Sequence, residues 1–268
     1  MDAHIRYLAI VSERPETLAQ FYTTYFSLRE LGRSDEGDIA LTDGFYNVSL
    51  VKPRPGADEI GISHFGIEID DVREIEARLE EFAPKSDIQQ EEGGLFHGEY
   101  RVFDPNGVAV SLSERHFNLP AAERHMPNIR HMAMCVPNND RVLDYYRNVF
   151  GFREPGNSRK LREAGLPVRW AADGSTAMAI LTSHKGRVVN EETESSRDGV
   201  NHFGFLVKDM DSYLTSLPKG AISERDYNVA PGVPRSSAEF RVFDPDRNPF
   251  DLSETKGYEV DVDVFARA

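Results

Sequence analysis

The residue whose neighbours best place it for chemistry is Asp251. It stands in the stretch 239–254, which reads as strand, tight turn, strand. Phe240, Val242 and Phe243 make a short β-type run, and Phe250 and Leu252 flank Asp251. Between them, Asp244-Pro245-Asp246-Arg247-Asn248 is turn chemistry: proline fixes φ, and Asp and Asn side chains bond the local backbone. Side chains alternate along a strand, so Asp251 faces away from its two apolar neighbours. An acid in that setting either meets solvent or serves as a ligand inside a cavity, and the rest of the chain has to decide which.

The elements that would position it come in duplicate. Residues 5–10 match 129–134, and 21–30 match 145–154, both at an offset of 124. Further on, 63–66 match 201–204 at an offset of 138, and 99–105 match 239–245 at 140. The step in offset puts an insertion in the second copy, and the Arg-, Glu- and Ser-rich stretch 185–199 is its natural place. The chain is thus a tandem duplication, with one domain over 1–115, a linker over 115–127 and a second domain over 128–268. Periodicity predicts strands over 5–11, 38–42, 46–51, 62–69, 99–103 and 108–112, with helices over 15–27 and 71–82. The second copy repeats the pattern with strands over 129–136, 167–171, 176–182, 201–207, 238–243 and 249–253 and helices over 139–150 and 209–217. Each copy is roughly two βαβββ units, which makes the chain α+β. The alternating tail 258–264 reads as an added edge strand.

With 268 residues the chain suits one large domain or two of ordinary size. Hydrophobic and charged contents of 40% and 28% fit a soluble globular protein. The sequence offers no apolar run long enough to cross a bilayer and no signal peptide. Its single cysteine, Cys135, excludes an intrachain disulfide and suits a reducing cytoplasm. A formal net charge of −14 argues against nucleic acid and anionic membranes as partners, although a local basic pocket for a small anion stays open. The expected partner is a small-molecule substrate, and the expected assembly a homo-oligomer.

Three motifs carry a family resemblance over nearly the whole chain: Ile129-Arg130-His131-Met132-Ala133, Asn201-His202-Phe203-Gly204-Phe205 and Asp244-Pro245-Asp246-Arg247-Asn248-Pro249-Phe250-Asp251. They resemble the vicinal oxygen chelate superfamily, which includes glyoxalases, bleomycin-resistance proteins and type I extradiol dioxygenases. Four βαβββ units in one chain resemble the extradiol dioxygenases more than the glyoxalases. The resemblance implies that paired units form an incomplete barrel with a metal inside. It also implies the ligands: a first-strand His, a mid-domain His and a last-strand carboxylate, which here are His131, His202 and Asp251. Two imidazoles and one carboxylate on one face of Fe(II), or of Mn(II), leave positions for substrate and O₂. The same positions in the first copy are Tyr7, His64 and Ser111, so that copy looks vestigial. Glu254 is the weaker carboxylate candidate, and Ile180 stands where a glyoxalase fourth ligand would fall.

Extradiol members also use a Tyr and His residues beside the metal; those positions here hold Arg241, Gly232 and Arg187. Arg241 on the cavity face would suit a carboxylate or enolate oxygen, because guanidinium binds such groups in bidentate fashion. Against that, Arg101 holds the same place in the first copy, so a structural ion pair, for instance with Glu239, competes. His184 and Tyr227, with Arg235, fall in loops or strand starts that could overhang the pocket and complete the catalytic candidates. Trp170, Tyr145 and Cys135 read as core. Three functions follow from these residues. One is an Fe(II) or Mn(II) oxygenase of the extradiol type, acting on a catechol-like or other vicinal-oxygen substrate. Another is an O₂-independent lyase or isomerase. The third is a metal-free binding protein of the resistance type.

Overall fold

The structure is a computed structural model that describes residues 2–54, 56, 59–91, 97–118, 124–155, 163, 168–182, 198–222 and 240–254. The first half builds one open eight-stranded sheet, and the second half one open six-stranded sheet. Neither closes into a barrel. In the first half β1 (Ala3–Val11) and β5 (Gly61–Ile69) lie antiparallel at the centre. On the β1 side come β4 (Asn47–Val51), β3 (Ile39–Thr42) and β2 (Arg29–Arg33); on the β5 side come β8 (Ala109–Ser113), β7 (Tyr100–Phe103) and β6 (Gln89–Gln90). The second sheet repeats this order. Its centre is β9 (Asn128–Val136) against β12 (Gly199–Leu206), flanked by β11 (Ala177–Thr182) and β10 (Val168–Ala172) on one side and β14 (Pro249–Ser253) and β13 (Phe240–Phe243) on the other. No helix among the described residues is long and apolar enough to cross a membrane.

The helices begin and end where local chemistry says they should. Pro15 opens α1 (Pro15–Phe26), a position where its missing N–H costs nothing. Asp71, Asn138 and Asp209 cap α2 (Val72–Phe82), α3 (Asn139–Phe150) and α4 (Met210–Ser216), each side chain accepting from a backbone N–H of the first turn. Gly151 ends α3 in the left-handed conformation. In both copies the Asp-Pro turn is held as its residues suggest. Asp104 Oδ1 accepts from the Asn106 and Val108 amides, and Asp244 Oδ1 from those of Asp246 and Asn248.

The strand and helix expectations hold to within a few residues. Two strands went unforeseen, β2 and β6, because 29–33 is exposed and polar and 89–90 is too short to carry a period. The expected linker begins as structure: His116–Asn118 forms a 3₁₀ turn, and Phe117 is fully buried. The tail strand over 258–264 lies outside the described residues, as does all of the insertion but its last two positions.

The two sheets share one apolar core, and the duplication is written into the contacts between them. Helix α1 of the first half packs its aromatic face on the second sheet: Phe26 stacks on Phe205 at 4.4 Å, and Tyr22 lies 6.1 Å from both Phe203 and Phe250. Helix α3 of the second half returns the contact, with Tyr146 against Phe65. Hydrogen bonds repeat the exchange. Tyr22 donates to Asp244 Oδ2 at 2.9 Å, and Tyr146 to Asp104 Oδ2 at 3.4 Å. The Ile129 amide donates to Asp43 at 2.8 Å, and the Ile5 amide to Asp173 at 2.5 Å.

Two outcomes follow for this seam. Tyr22→Phe takes a donor from a buried carboxylate and should cost ~1.5–3 kcal/mol in urea unfolding at neutral pH. Tyr146→Phe, which loses the longer bond, should cost less. Burial pushes the Asp244 carboxyl up to about 6, against the lowering bonds from Asn248 and Tyr22. The folded chain therefore holds this proton at a pH where the unfolded chain has lost it, so the stability it contributes is full below about pH 4 and is lost as pH rises through about 6. Across that window the stability difference between Asp244→Asn and the parent should move in favour of Asn. A difference that does not change with pH would remove Asp244 as its source.

Candidate metal centre

A single row of residues crosses four strands of the second sheet. His131 on β9 lies opposite Gly204 on β12, Gly204 opposite Asp251 on β14, and Asp251 opposite Arg241 on β13. Residues directly opposite in a sheet project on the same side, and Gly204 leaves the space between His131 and Asp251 without a side chain. His202, two residues earlier on the same face, takes up that space. A register shift between Val200 and His202 bulges β12 at Asn201, and a bulge re-aims the side chains beside it. Asn201 Oδ1 accepts from His202 Nδ1 at 2.7 Å, which turns the Nε2 lone pair of His202 into the row. On the other face of β14, Phe250 and Leu252 are fully buried, and Phe250 stacks on Phe203 at 5.6 Å. Asp251 is buried, which excludes the solvent-facing one of the two readings that its neighbours allowed.

The three expected ligands converge. His202 Nε2 lies 3.3 Å from His131 Nε2 and 3.0 Å from Asp251 Oδ2. Donor atoms of all three lie within 4.8 Å of one another, and this is the one such group among the described residues. His131, His202 and Asp251 are 2%, 5% and 4% exposed, so water does not offset their charge or lone pairs. Burial, with His202 beside it, brings the His131 imidazole down to about 3, and burial likewise lowers His202. Both rings are therefore neutral at pH 7. Burial alone would raise Asp251, but His202 and Arg241 override it and hold the carboxyl below the usual range. Three acceptor groups thus point at one another with too few protons between them. Ligands about 2.1 Å from a common centre, on adjacent corners of an octahedron, stand about 3 Å apart. The donor set and its spacings fit a divalent cation.

Arg241 pairs with Asp251, through Nε to Oδ1 at 2.6 Å and Nη2 to Oδ2 at 3.4 Å. Its Nη2 also lies 3.5 Å from His202 Nε2. Arg241 thus makes an ion pair, and one acid in it is Asp251. Glu239 lies outside the described residues, as do His184, Tyr227 and Arg235. Glu254 is taken up elsewhere, accepting from the Met210 amide at the start of α4. Ile180 is core. Trp170, read as core, is only partly buried and sets its ring 5.3 Å from that of His131, forming a wall of the site. The signal for it would have been the pairing of β10 with β11 beside β9, which residue spacing does not reveal.

Residues 128–252 match the family described as Glyoxalase/Bleomycin resistance protein/Dioxygenase superfamily. That match lies wholly in the second half of the chain. Among solved structures, the Mn(II)-bound glyoxalase from Novosphingobium aromaticivorans superposes with a TM-score of 0.67 at 19% identity, over 97% of this chain and 84% of that one. The 2,3-dioxygenase LapB from Pseudomonas sp. KL28 gives 0.63 at 16% identity, over 94% and 91%. Homoprotocatechuate 2,3-dioxygenase from Arthrobacter globiformis gives 0.62 at 16% identity, over 95% and 80%. At such identities the likeness is one of fold. No curated protein sequence matches the chain.

The first half carries the equivalent row with other residues. Tyr7 on β1 lies opposite Gly66 on β5, Gly66 opposite Ser111 on β8, and Ser111 opposite Arg101 on β7. Here the space over glycine holds a ring. Phe117 stacks on Tyr7 at 4.9 Å, with planes 12° apart, and a Cβ on Gly66 would come within 2.6 Å of it. Arg101, with no acid opposite, pairs instead with Glu91 at 2.9 Å. His64 is buried and neutral, its pKa brought down to about 3 by burial and Arg101. In the first half, then, the ring of Phe117 fills the space over the row. Phe117→Ala should therefore cost ~3–5 kcal/mol in urea unfolding and leave metal uptake by the second half unchanged.

Proposed function

We propose that this chain is a divalent-metal enzyme that holds its metal with His131, His202 and Asp251 and acts on a small molecule bearing two adjacent oxygens. The convergence of those three buried donors carries the reading. In this reading residues 128–268 form the metal-bearing domain and 1–115 the domain that supports it. Fe(II), or Mn(II) in its place, bound by three protein ligands supplies open coordination positions for the substrate oxygens and for O₂. Extradiol-type dioxygenation is the reaction proposed.

The chain's own residues have definite work in it. Asn201 fixes the tautomer and tilt of His202. Asp251 contributes the one negative charge among the three ligands, and Arg241 holds one of its oxygens and thereby its orientation. Trp170 and the buried row limit water around the reacting oxygens. One observation favours a second reading. Arg241 occupies the position where the resemblance places an extradiol tyrosine, and a fixed cation stabilises an enolate without moving a proton. That suits an O₂-independent lyase or isomerase.

Anaerobic titration with Fe(II) should give about one equivalent per chain, as expected for a single three-ligand site. Asp251→Ala should weaken uptake by at least ~10-fold, and the His131→Ala, His202→Ala double variant should abolish it. Two equivalents, or uptake that survives the double change, would sink the assignment. Oxygen-electrode assays of the loaded protein with a panel of catechols then separate the two reactions: O₂ consumption supports ring cleavage, and turnover without it supports the lyase or isomerase.

A further inference from the structure

Independently of the metal reading, we infer that the seam between the two halves holds a second site, one for a small oxyanion, built on the guanidinium groups of Arg124 and Arg130. The observation behind it is a set of donors without acceptors. Arg124 Nη1 donates to the Ser175 carbonyl at 3.3 Å, and Arg130 Nη1 donates to the same oxygen at 3.0 Å. The remaining edge of Arg124, Nε with Nη2, is shut off from solvent and meets no acceptor, and the same holds for Arg130 Nε. A buried donor left unmatched is costly. Nε and Nη2 are also the coplanar pair that grips two oxygens of a carboxylate, sulfate or phosphate at once. Arg124 thus presents a whole fork of donors that no protein group takes. Arg130, whose head meets the same carbonyl, adds one more.

The acids nearby are committed elsewhere. Asp43 accepts from the Phe45 and Tyr46 amides with one oxygen and from the Ile129 amide with the other. Asp173 accepts from the Ser175 and Thr176 amides with one and from the Ile5 amide with the other. Glu68 is taken by Arg6 and His116. No carboxylate among the described residues pairs with Arg124 or Arg130. The cations are also crowded. Arg124 lies over the Phe45 ring at 3.9 Å, and Arg6 over the same ring at 4.2 Å. Such a contact steadies a cation and supplies no acceptor oxygen. Burial brings the Arg124 pKa down to about 10, Arg130 and Arg6 adding like charge that Asp43 and Asp173 offset in part through space. An oxyanion between the two heads relieves their repulsion and meets their idle donors together. It also bridges the halves, since Phe45 stands between β3 and β4 while Arg130 and Ser175 belong to the second sheet. Arg130 reaches from β9 to the turn between β10 and β11, whereas its neighbour His131 enters the metal row, so the two sites are distinct.

The test uses the full chain in chloride-free buffer, with inorganic phosphate as the probe. Binding is measured by calorimetry and by the rise in Tm, with chloride at matched ionic strength as the reference. A fork of two donors favours an anion that offers two oxygens, so the parent should bind phosphate at least ~10-fold more tightly than chloride. Arg124→Gln should weaken phosphate by ~10–100-fold, the loss of a bidentate charge-assisted pair. Arg124→Lys keeps the charge and loses the fork, and should weaken it by at least ~10-fold. Arg130→Gln, which removes one donor, should weaken it by ~3–10-fold. The His131→Ala, His202→Ala double variant should bind phosphate within ~2-fold of the parent, as expected for distant sites. A parent that gains no more from phosphate than from chloride overturns the inference. So does phosphate binding that survives both changes at Arg124, because the anion then sits elsewhere, or binding that is lost in the double variant, because it then sits on the metal row. Should Arg124→Gln not fold, Arg124→Lys decides by the same measure.

Discussion

The second half of this protein is organised around a carboxylate that has no water to stabilise it. Asp251 is buried on a strand whose other face is packed with aromatic rings. Its charge has to be met by neighbours, and those neighbours are positioned by backbone pairing. Arg241 is opposite it across β13, and the bulge at Asn201 delivers His202 to its second oxygen. Each is set by register, so a slip of one residue on β13 or β14 would turn the charge into the aromatic layer. The electrostatic demand of one side chain thus constrains strand order, bulge position and the glycine that leaves room between His131 and Asp251.

What fixes that register lies partly in the other half of the chain. The hairpin that presents Arg241 and Asp251 turns on Asp244, whose first oxygen binds the turn's own amides and whose second accepts from Tyr22 on α1. Phe26 and Phe21 of the same helix lie against Phe205 and Phe250, on the back of the strands that carry the site. The first half therefore acts as a clamp on the hairpin of the second. The second half repeats the arrangement toward the first, through Tyr146 and Asp104. The first half shares this mutual support, and its own row carries a stacked pair of rings, Tyr7 and Phe117.

Most of this was legible in the residues. The internal repeat gave the element order, because strand and helix periods recur at matching offsets, and the comparison of Tyr7, His64 and Ser111 with His131, His202 and Asp251 marked the copy in which two histidines and an acid converge. The turn chemistry of Asp104 and Asp244 could be read locally because those bonds span only two to four residues. Long-range facts were not readable. Phe117 looked like linker, since nothing in its neighbours shows that a turn with positive φ drives its ring onto Tyr7. Spacing along the chain does not show that Arg241 meets Asp251, because that contact is made across the hairpin. Trp170 was assigned to the core because its approach to His131 depends on sheet order.

Arg241 is also where likeness of fold stops informing chemistry. Solved structures of a glyoxalase and of ring-cleaving dioxygenases superpose on nearly the whole chain, yet they are themselves enzymes of different reactions. A scaffold that serves both can distinguish them only through side chains in the cavity. Here the cavity side chain next to the ligands is a permanent cation. A tyrosine there could pass a proton, but a guanidinium cannot at any ordinary pH. It can hold an anionic oxygen in a fixed place. Under the function proposed above, the reaction would be one in which negative charge on an oxygen beside His202 and Asp251 is held in place. Any proton that the chemistry requires must be carried by the substrate, by water or by another residue.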